Sequence, residues 1–167
     1  MEIKLRKFRK GDEISLQKNI NNRMIYRYTL NIPYPYSMKD AKVFMSKCLA
    51  NYGKRKKTKI HLAVTHNDEV IGGIGLNEIK GHRAELGYWL GKKYWGKGIM
   101  TNAVKQMTQK SFNEFSLKRV YAFVFPKNKA SARVLEKAGY QYEGTLRKHA
   151  CKKGKFRDEM IFGKLKR

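Results

Sequence analysis

Acidic side chains are scarce in this chain: 13 Asp and Glu stand against 38 Lys and Arg, a formal net charge of +25. That balance excludes a cation-gathering exterior. It draws polyanions instead: nucleic acid, a ribosome or a polyphosphorylated ligand. Because the charge is spread along the whole chain, lysine that merely solvates the surface is the competing reading. Cysteine occurs twice, as Cys48 and Cys151, far apart and without metal-ligand spacing. No disulfide framework or zinc knuckle fits that usage, and reduced thiols are the simpler expectation. The four histidines, His61, His66, His82 and His149, also lack ligand spacing. They read as structural or solvated, and no metal is expected. No apolar run approaches the roughly 18 residues of a membrane span. The first ten residues alternate charge with apolar side chains and lack a signal peptide's apolar block, so the expected location is cytoplasmic. Only three prolines are present, with no low-complexity tract, repeat or linker, so one domain over residues 1–167 is expected.

What is present is clear local patterning. Residues 3–9 alternate as a strand. Gly11-Asp12 then marks a helix start, with Asp12 placed to cap free amides. Further helix is expected over Arg23 to Tyr28. Pro33 and Pro35 forbid helix or central strand from Thr29 to Ser37. The interleaved Tyr34 and Tyr36 make that loop a candidate substrate wall. Ser37 and Asp40 form a capping box, and Ala41, Phe44, Met45, Cys48, Leu49 and Tyr52 follow at helical spacing. Three strands are then expected as an antiparallel meander, turning at Asn67-Asp68 and Gly81-His82 and ending near Leu90. A helix with one apolar stripe, Ile99, Met100, Ala103, Val104, Met107 and Phe112, comes next. Residues 118–125 are apolar on both faces, which predicts a central strand covered on both sides. Asn128 caps a short helix with Ser131, Val134, Leu135 and Ala138 inward, and two strands joined at Lys153-Gly154 close the chain.

The stretch Glu85-Leu-Gly-Tyr-Trp-Leu-Gly-Lys-Lys-Tyr-Trp-Gly-Lys-Gly-Ile-Met-Thr101 carries the chemistry. It reads as strand, glycine loop and helix start. Gly96 and Gly98 let backbone approach a ligand closely, and the next helix presents its unpaired amides and positive dipole end. This suits a phosphate or pyrophosphate. A Walker A loop is absent, and a dinucleotide fingerprint fails at Thr101 and at the missing acidic residue about twenty positions on.

Glu85-Leu-Gly-Tyr-Trp-Leu, Tyr94-Trp-Gly-Lys-Gly-Ile-Met-Thr101-Asn-Ala and Asn128-Lys-Ala-Ser-Ala-Arg-Val-Leu-Glu-Lys-Ala-Gly-Tyr140 together resemble the GNAT superfamily of N-acetyltransferases. Within it they are most similar to the branch that acetylates ribosomal-protein N-termini. The resemblance implies an α+β fold of one domain, with a mixed, mostly antiparallel sheet of about seven strands flanked by helices. It also implies acetyl-coenzyme A as cosubstrate and a primary amine as acceptor. The family's Arg/Gln-x-x-Gly-x-Gly/Ala pattern falls on Lys93-Tyr-Trp-Gly96-Lys-Gly98, with Lys in the first place. By this resemblance the backbone of Trp95, Gly96, Lys97, Gly98, Ile99 and Met100, with Thr101, holds the pyrophosphate. Tyr88, Trp89 and Leu90 run beside the pantetheine, Asn128 bonds that arm, and Ser131 lies near the sulfur.

Amine attack on a thioester needs a neutral amine, a polarised carbonyl and a protonated leaving thiolate. The family's usual tyrosine donor falls on Leu135, so Ser131, or a water it holds, is the candidate proton donor. Glu85 is the candidate base. An α-amine of pKa about 7.7–8.0 costs about 1 kcal/mol to deprotonate at neutral pH, a lysine near 10.4 about 4–5 kcal/mol, so a weakly basic site favours α-amines. The expected activity is acetylation of a protein N-terminus, such as that of a ribosomal protein, with ribosome or rRNA association through the basic surface. The alternatives are a small amine acceptor (polyamine, aminoglycoside or amino acid) and a non-catalytic basic RNA-associated module.

Overall fold

Alternating apolar residues and short turns set up most of the strand pairings in the computed structural model, which describes residues 1–167. The elements run β1 (Lys4–Lys7), α1 (Glu13–Ile20), α2 (Arg23–Tyr28), α3 (Met38–Tyr52), β2 (Ile60–His66), β3 (Glu69–Lys80), β4 (Arg83–Leu90), α4 (Ile99–Glu114), β5 (Arg119–Val124), α5 (Lys129–Lys137), β6 (Gln141–Lys152) and β7 (Lys155–Leu165). A single 3₁₀ turn, Lys92–Tyr94, links β4 to the glycine loop. The seven strands form one sheet in the order β1-β2-β3-β4-β5-β7-β6. Only β4 and β5 run parallel, as the connection through α4 requires. No helix is long and apolar enough to cross a membrane.

Each face of the sheet has its own apolar layer. On β2, Leu62 and Val64 join a large cluster with Ile99, Val104 and Met107 of α4 and Leu135 of α5. Ala63, between them and so on the opposite face, joins Leu16 of α1 with Ala41 and Met45 of α3. Glycine gives β3 room for its neighbours' rings. A Cβ on Gly73 would lie 2.4 Å from Nε1 of Trp89, and one on Gly75 would lie 2.1 Å from Cδ2 of His61.

The expected capping box holds: Ser37 Oγ accepts from the Asp40 amide at 3.1 Å, and Asp40 accepts from the Ser37 amide at 2.8 Å. Asp12 departs from expectation. It sits at the N-cap of α1 but bonds no helix amide. Its carboxylate instead accepts from the two terminal guanidinium nitrogens of Arg6, at 2.7 and 2.8 Å, and from the Arg9 amide at 2.9 Å. A nearly buried carboxylate gains more from a bidentate guanidinium than from one amide. Leu49 also departs, facing solvent at the end of α3. Strand β5 is central, yet Tyr121 and Phe123 on its second face are only half-buried. Phe123 borders a cleft there, and Tyr121 packs edge-on against it at 5.6 Å between ring centres.

Candidate active site

The cleft follows from a pairing failure in mid-sheet. β4 and β5 pair at Arg83–Arg119, Ala84–Val120 and Glu85–Tyr121, and no further, although β4 continues to Leu90 and β5 to Val124. Beyond Glu85 the strands splay, so β4 keeps β3 on one side and presents unpaired backbone on the other. A cavity of ≈ 1280 Å³ runs through this gap and connects the two faces of the sheet.

On the α4–α5 side lies the glycine loop. Gly96 and Gly98 have φ of +75° and +72°, and a Cβ at either position would meet nothing within 4 Å. The left-handed backbone, not packing, requires glycine at these two positions. Gly98 is the N-cap of α4, so no side chain there takes the helix's free donors. The first helix amide bonded back is that of Asn102, to the Gly98 carbonyl at 3.1 Å. The amides of Ile99, Met100 and Thr101 therefore remain for a ligand. Trp95 anchors the loop by donating from its indole N–H to the Leu90 carbonyl at 2.7 Å. Trp95, Gly96, Lys97, Gly98, Ile99 and Met100 all line the cleft, as does Thr101. Lys93 does not; its ammonium lies 3.8 Å from Glu69 and 4.8 Å from the Tyr94 ring centre.

At the splay, Tyr88, Trp89 and Leu90 line the cleft from β4, and Asn128 and Ser131 from the start of α5. Asn128 Oδ1 accepts from the Ser131 amide at 3.2 Å, the N-cap bond that its position suggested. The Ser131 hydroxyl stands 2.7 Å from the Tyr88 hydroxyl, tying helix to strand across the gap. Burial pushes the Tyr88 phenol well above its ordinary range, with the Ser131 bond acting the other way. It therefore stays a neutral O–H.

On the other side of the sheet, Glu85 enters the cleft among residues not marked out by their sequence spacing. Burial raises its carboxyl above the ordinary range; Glu78 and Glu159 add to the rise, and Lys59 and His149 oppose it. Glu78, Glu159, His149 and Lys59 all line the same end. His61 Nε2 lies 3.1 Å from Asn77 Oδ1, and burial holds its imidazole toward the neutral form. Two β-bulges help assemble this group. Register slips between Asn77 and Lys80, where Glu78 has φ of +47°, and again between Leu146 and Ala150, where Lys148 has φ of +51°. Sequence reasoning passed over Glu78, Glu159 and His149 because a bulge leaves the alternation on either side intact; no local signal announces it.

Of the two loop tyrosines, Tyr36 is buried and lines the cleft, its phenol pushed up to about 12 by burial. Tyr34 does not line it. Tyr34 is 42% exposed, with its ring 6.1 Å from that of Tyr26. The wall there is built from Ile25, Tyr28, Leu30 and Pro33 with Tyr36.

Residues 2–141 match the family model described as an acetyltransferase (GNAT) domain. An uncharacterized N-acetyltransferase, p20, of Bacillus licheniformis is 39% identical over 111 residues, 65% of this chain and 62% of that protein. The "Probable N-acetyltransferase YjcK" of Bacillus subtilis (strain 168) is 38% identical over 122 residues, 69% of this chain and 67% of that protein. Among solved structures, the Microcin C7 self immunity acetyltransferase MccE, in complex with acetyl-CoA and AMP, superposes with a TM-score of 0.87 at 24% identity, over 99% of this chain and 93% of that one. The chain belongs to the GNAT acetyltransferase domain family and has its α+β fold, a seven-stranded mixed sheet with five helices.

Proposed function

We propose that this chain transfers acetyl from acetyl-coenzyme A to the N-terminal α-amine of a protein, by direct attack when both substrates are bound. The observation that carries this reading is the through-sheet cleft: a phosphate cradle opens on one face, carboxylates stand on the other, and the two meet where β4 and β5 separate.

Acetyl-coenzyme A supplies the thioester and the leaving thiolate; the chain supplies everything else. The loop from Trp95 to Met100, with Thr101, holds the pyrophosphate on backbone amides, and Lys97 adds positive charge beside it. The unpaired edge of Tyr88, Trp89 and Leu90 aligns the pantetheine as an added strand would, and Asn128 bonds that arm. Ser131, braced by Tyr88 at 2.7 Å, protonates the departing sulfur. Glu85 is the acceptor-side carboxylate that meets the incoming ammonium.

Two observations favour a protein N-terminus as acceptor. The Escherichia coli ribosomal protein uS5-alanine N-acetyltransferase is 30% identical over 96 residues, 56% of this chain and 50% of that protein. The net charge of +25 also suits a substrate displayed on a ribosome or another RNA-bearing surface. A small amine is the second reading, because three of the chain's 13 acids, Glu78, Glu85 and Glu159, line the acceptor end and would attract a compact cation.

The test is thiol release from acetyl-coenzyme A against N-terminal peptides, free amino acids and polyamines. Turnover with peptides alone supports the first reading, and turnover with polyamines alone replaces it with the second. Salt-sensitive RNA binding with no thiol release on any acceptor would make the chain a binding module.

A further inference from the structure

His149 and Glu159 form a pair at the acceptor end that the roles above leave unused. His149 Nδ1 lies 2.8 Å from Glu159 Oε2. Glu159 is 7% exposed, while the imidazole side chain is 46% exposed and reaches solvent. Phe123 packs on the ring at 5.0 Å between centroids, fixing its plane. With Nδ1–H donated to the carboxylate, the ring's tautomer is set and Nε2 carries the free lone pair. Nε2 makes no hydrogen bond within the protein.

The backbone is bent to achieve this. Between the pairs Leu146–Glu159 and Ala150–Arg157, three residues of β6 oppose one of β7. Lys148 takes a left-handed φ of +51°, and its amide is held by Asp158 Oδ1 at 2.8 Å. A lysine carries a Cβ that disfavours this conformation, and bulges characteristically re-aim a side chain beside a site. The residue re-aimed here is His149, into the cleft.

We propose that His149, oriented by Glu159, is the base that takes the acceptor's proton, while Glu85 pairs with the ammonium before it is lost. This rests on the acetyltransfer reading above. The amine N–H bond breaks, its proton passes to Nε2, and the freed nitrogen pair forms the bond to the thioester carbon. The carbon–sulfur bond then breaks, the thiolate takes a proton from Ser131, and the nitrogen's second proton, lost as the amide forms, passes through water to replace it. The half-exposed imidazole returns its proton to water. The other titratable groups at this end are Glu85 of β4, Glu78 of β3, His61 of β2 with Lys59 just before it, and Cys151 of β6. The carboxylates attract the ammonium and favour its charged form, so they oppose deprotonation. A separate acceptor for the proton, the imidazole nitrogen beside them, resolves that conflict.

His149→Asn is the decisive variant, because an Asn amide can still donate to Glu159 but cannot take up the proton. Steady-state rates of the purified full chain would be followed from pH 6 to 9.5, with the best peptide acceptor from the panel above. The expected result is a kcat about 100-fold lower near neutrality, with KM for acetyl-coenzyme A unchanged. The deficit should shrink toward pH 9, where an α-amine is already neutral, and added imidazole should restore part of the rate. Glu159→Gln should lose less, about 10-fold, as a positioning residue. A His149→Asn profile that overlays wild type within twofold would overturn the proposal, as would a Glu85→Gln variant that alone loses the acidic limb. If wild-type protein acetylates nothing in the panel, the acetyltransfer reading falls and this base falls with it.

Discussion

The Tyr88 and Ser131 hydroxyls, 2.7 Å apart, join β4 to α5 across the gap through which the two halves of the cleft communicate. Tyr88 also donates to the Ser131 carbonyl at 3.3 Å, so the serine is held by its side chain and its backbone from one phenol. The phenol has one proton, and that proton can leave the carbonyl for Ser131 Oγ once the serine oxygen has given up its own. The pair should therefore behave as a unit. Ser131→Ala is expected to slow single-turnover thiol release by about 100-fold, and Tyr88→Phe by about 10-fold. The double variant should be little slower than Ser131→Ala alone, because residues acting together are not additive. Wild-type single-turnover rates in Ser131→Ala at saturating substrates would sink the donor role.

Gly98 combines three observations that separate a binding defect from a folding defect. It is left-handed at +72°, it caps α4, and a Cβ there would touch nothing. Gly98→Ala should therefore cost only the backbone term, about 1–2 kcal/mol of stability. Relaxation of that strain turns the first-turn amides away from the cradle. A rise of about tenfold in KM for acetyl-coenzyme A is expected, with the acceptor KM unchanged. Initial-rate kinetics with each substrate varied in turn, alongside urea unfolding, would separate the two effects.

The cofactor half of this cleft was legible because its determinants are local. Glycine at 96 and 98, a capping Asn128 and one apolar stripe on α4 each lie within a few residues of what they control, and all stand where their spacing placed them. The acceptor half was not legible, because it depends on register. Nothing around Lys148 marks a departure from β geometry, yet two extra residues in that strand decide that His149 faces the cleft. Phe123 misled for a related reason. Apolar residues on both faces of a strand imply layers on both sides, but the second layer here is a ligand cleft. Asp12 misled because Arg6, six residues earlier, competes for it only once β1 has joined the sheet.

Lys152 fastens the cleft wall proposed to face the acceptor. Its ammonium donates to the carbonyls of Tyr26 and Thr29, the latter at 2.5 Å, and lies 3.7 Å from the centre of the Tyr26 ring. Those carbonyls belong to the end of α2, where a cation is favoured. The residue is 7% exposed, and burial pulls its ammonium below the ordinary lysine range. Lys152→Met keeps the apolar stem but loses both hydrogen bonds and the cation–π contact. The wall from Ile25 to Leu30 should loosen, raising acceptor KM about 3–10-fold while KM for acetyl-coenzyme A stays constant. Equal changes in both constants would indicate general destabilisation instead.

Glu85 should reduce stability where it serves function. Its carboxyl is raised above the unfolded value by burial first and by Glu78 and Glu159 second. Below the unfolded pKa, near 4.3, both states are protonated and the group contributes nothing. As pH rises through the interval up to the raised folded value, the folded state holds the proton more strongly than the unfolded state does. Stability therefore falls across that interval and stays lower above it. Glu85→Gln removes the ionisation and keeps the size, so it should melt a few degrees higher than wild type at pH 7 and at the same temperature near pH 4. Acceptor KM should rise in the same variant, since the carboxylate that meets the ammonium is gone, a trade of activity against stability. Thermal melts of the two proteins from pH 4 to 8 provide the check. A Glu85→Gln variant less stable than wild type at pH 7 would show that the carboxylate is held by favourable partners, contrary to its burial among Glu78 and Glu159.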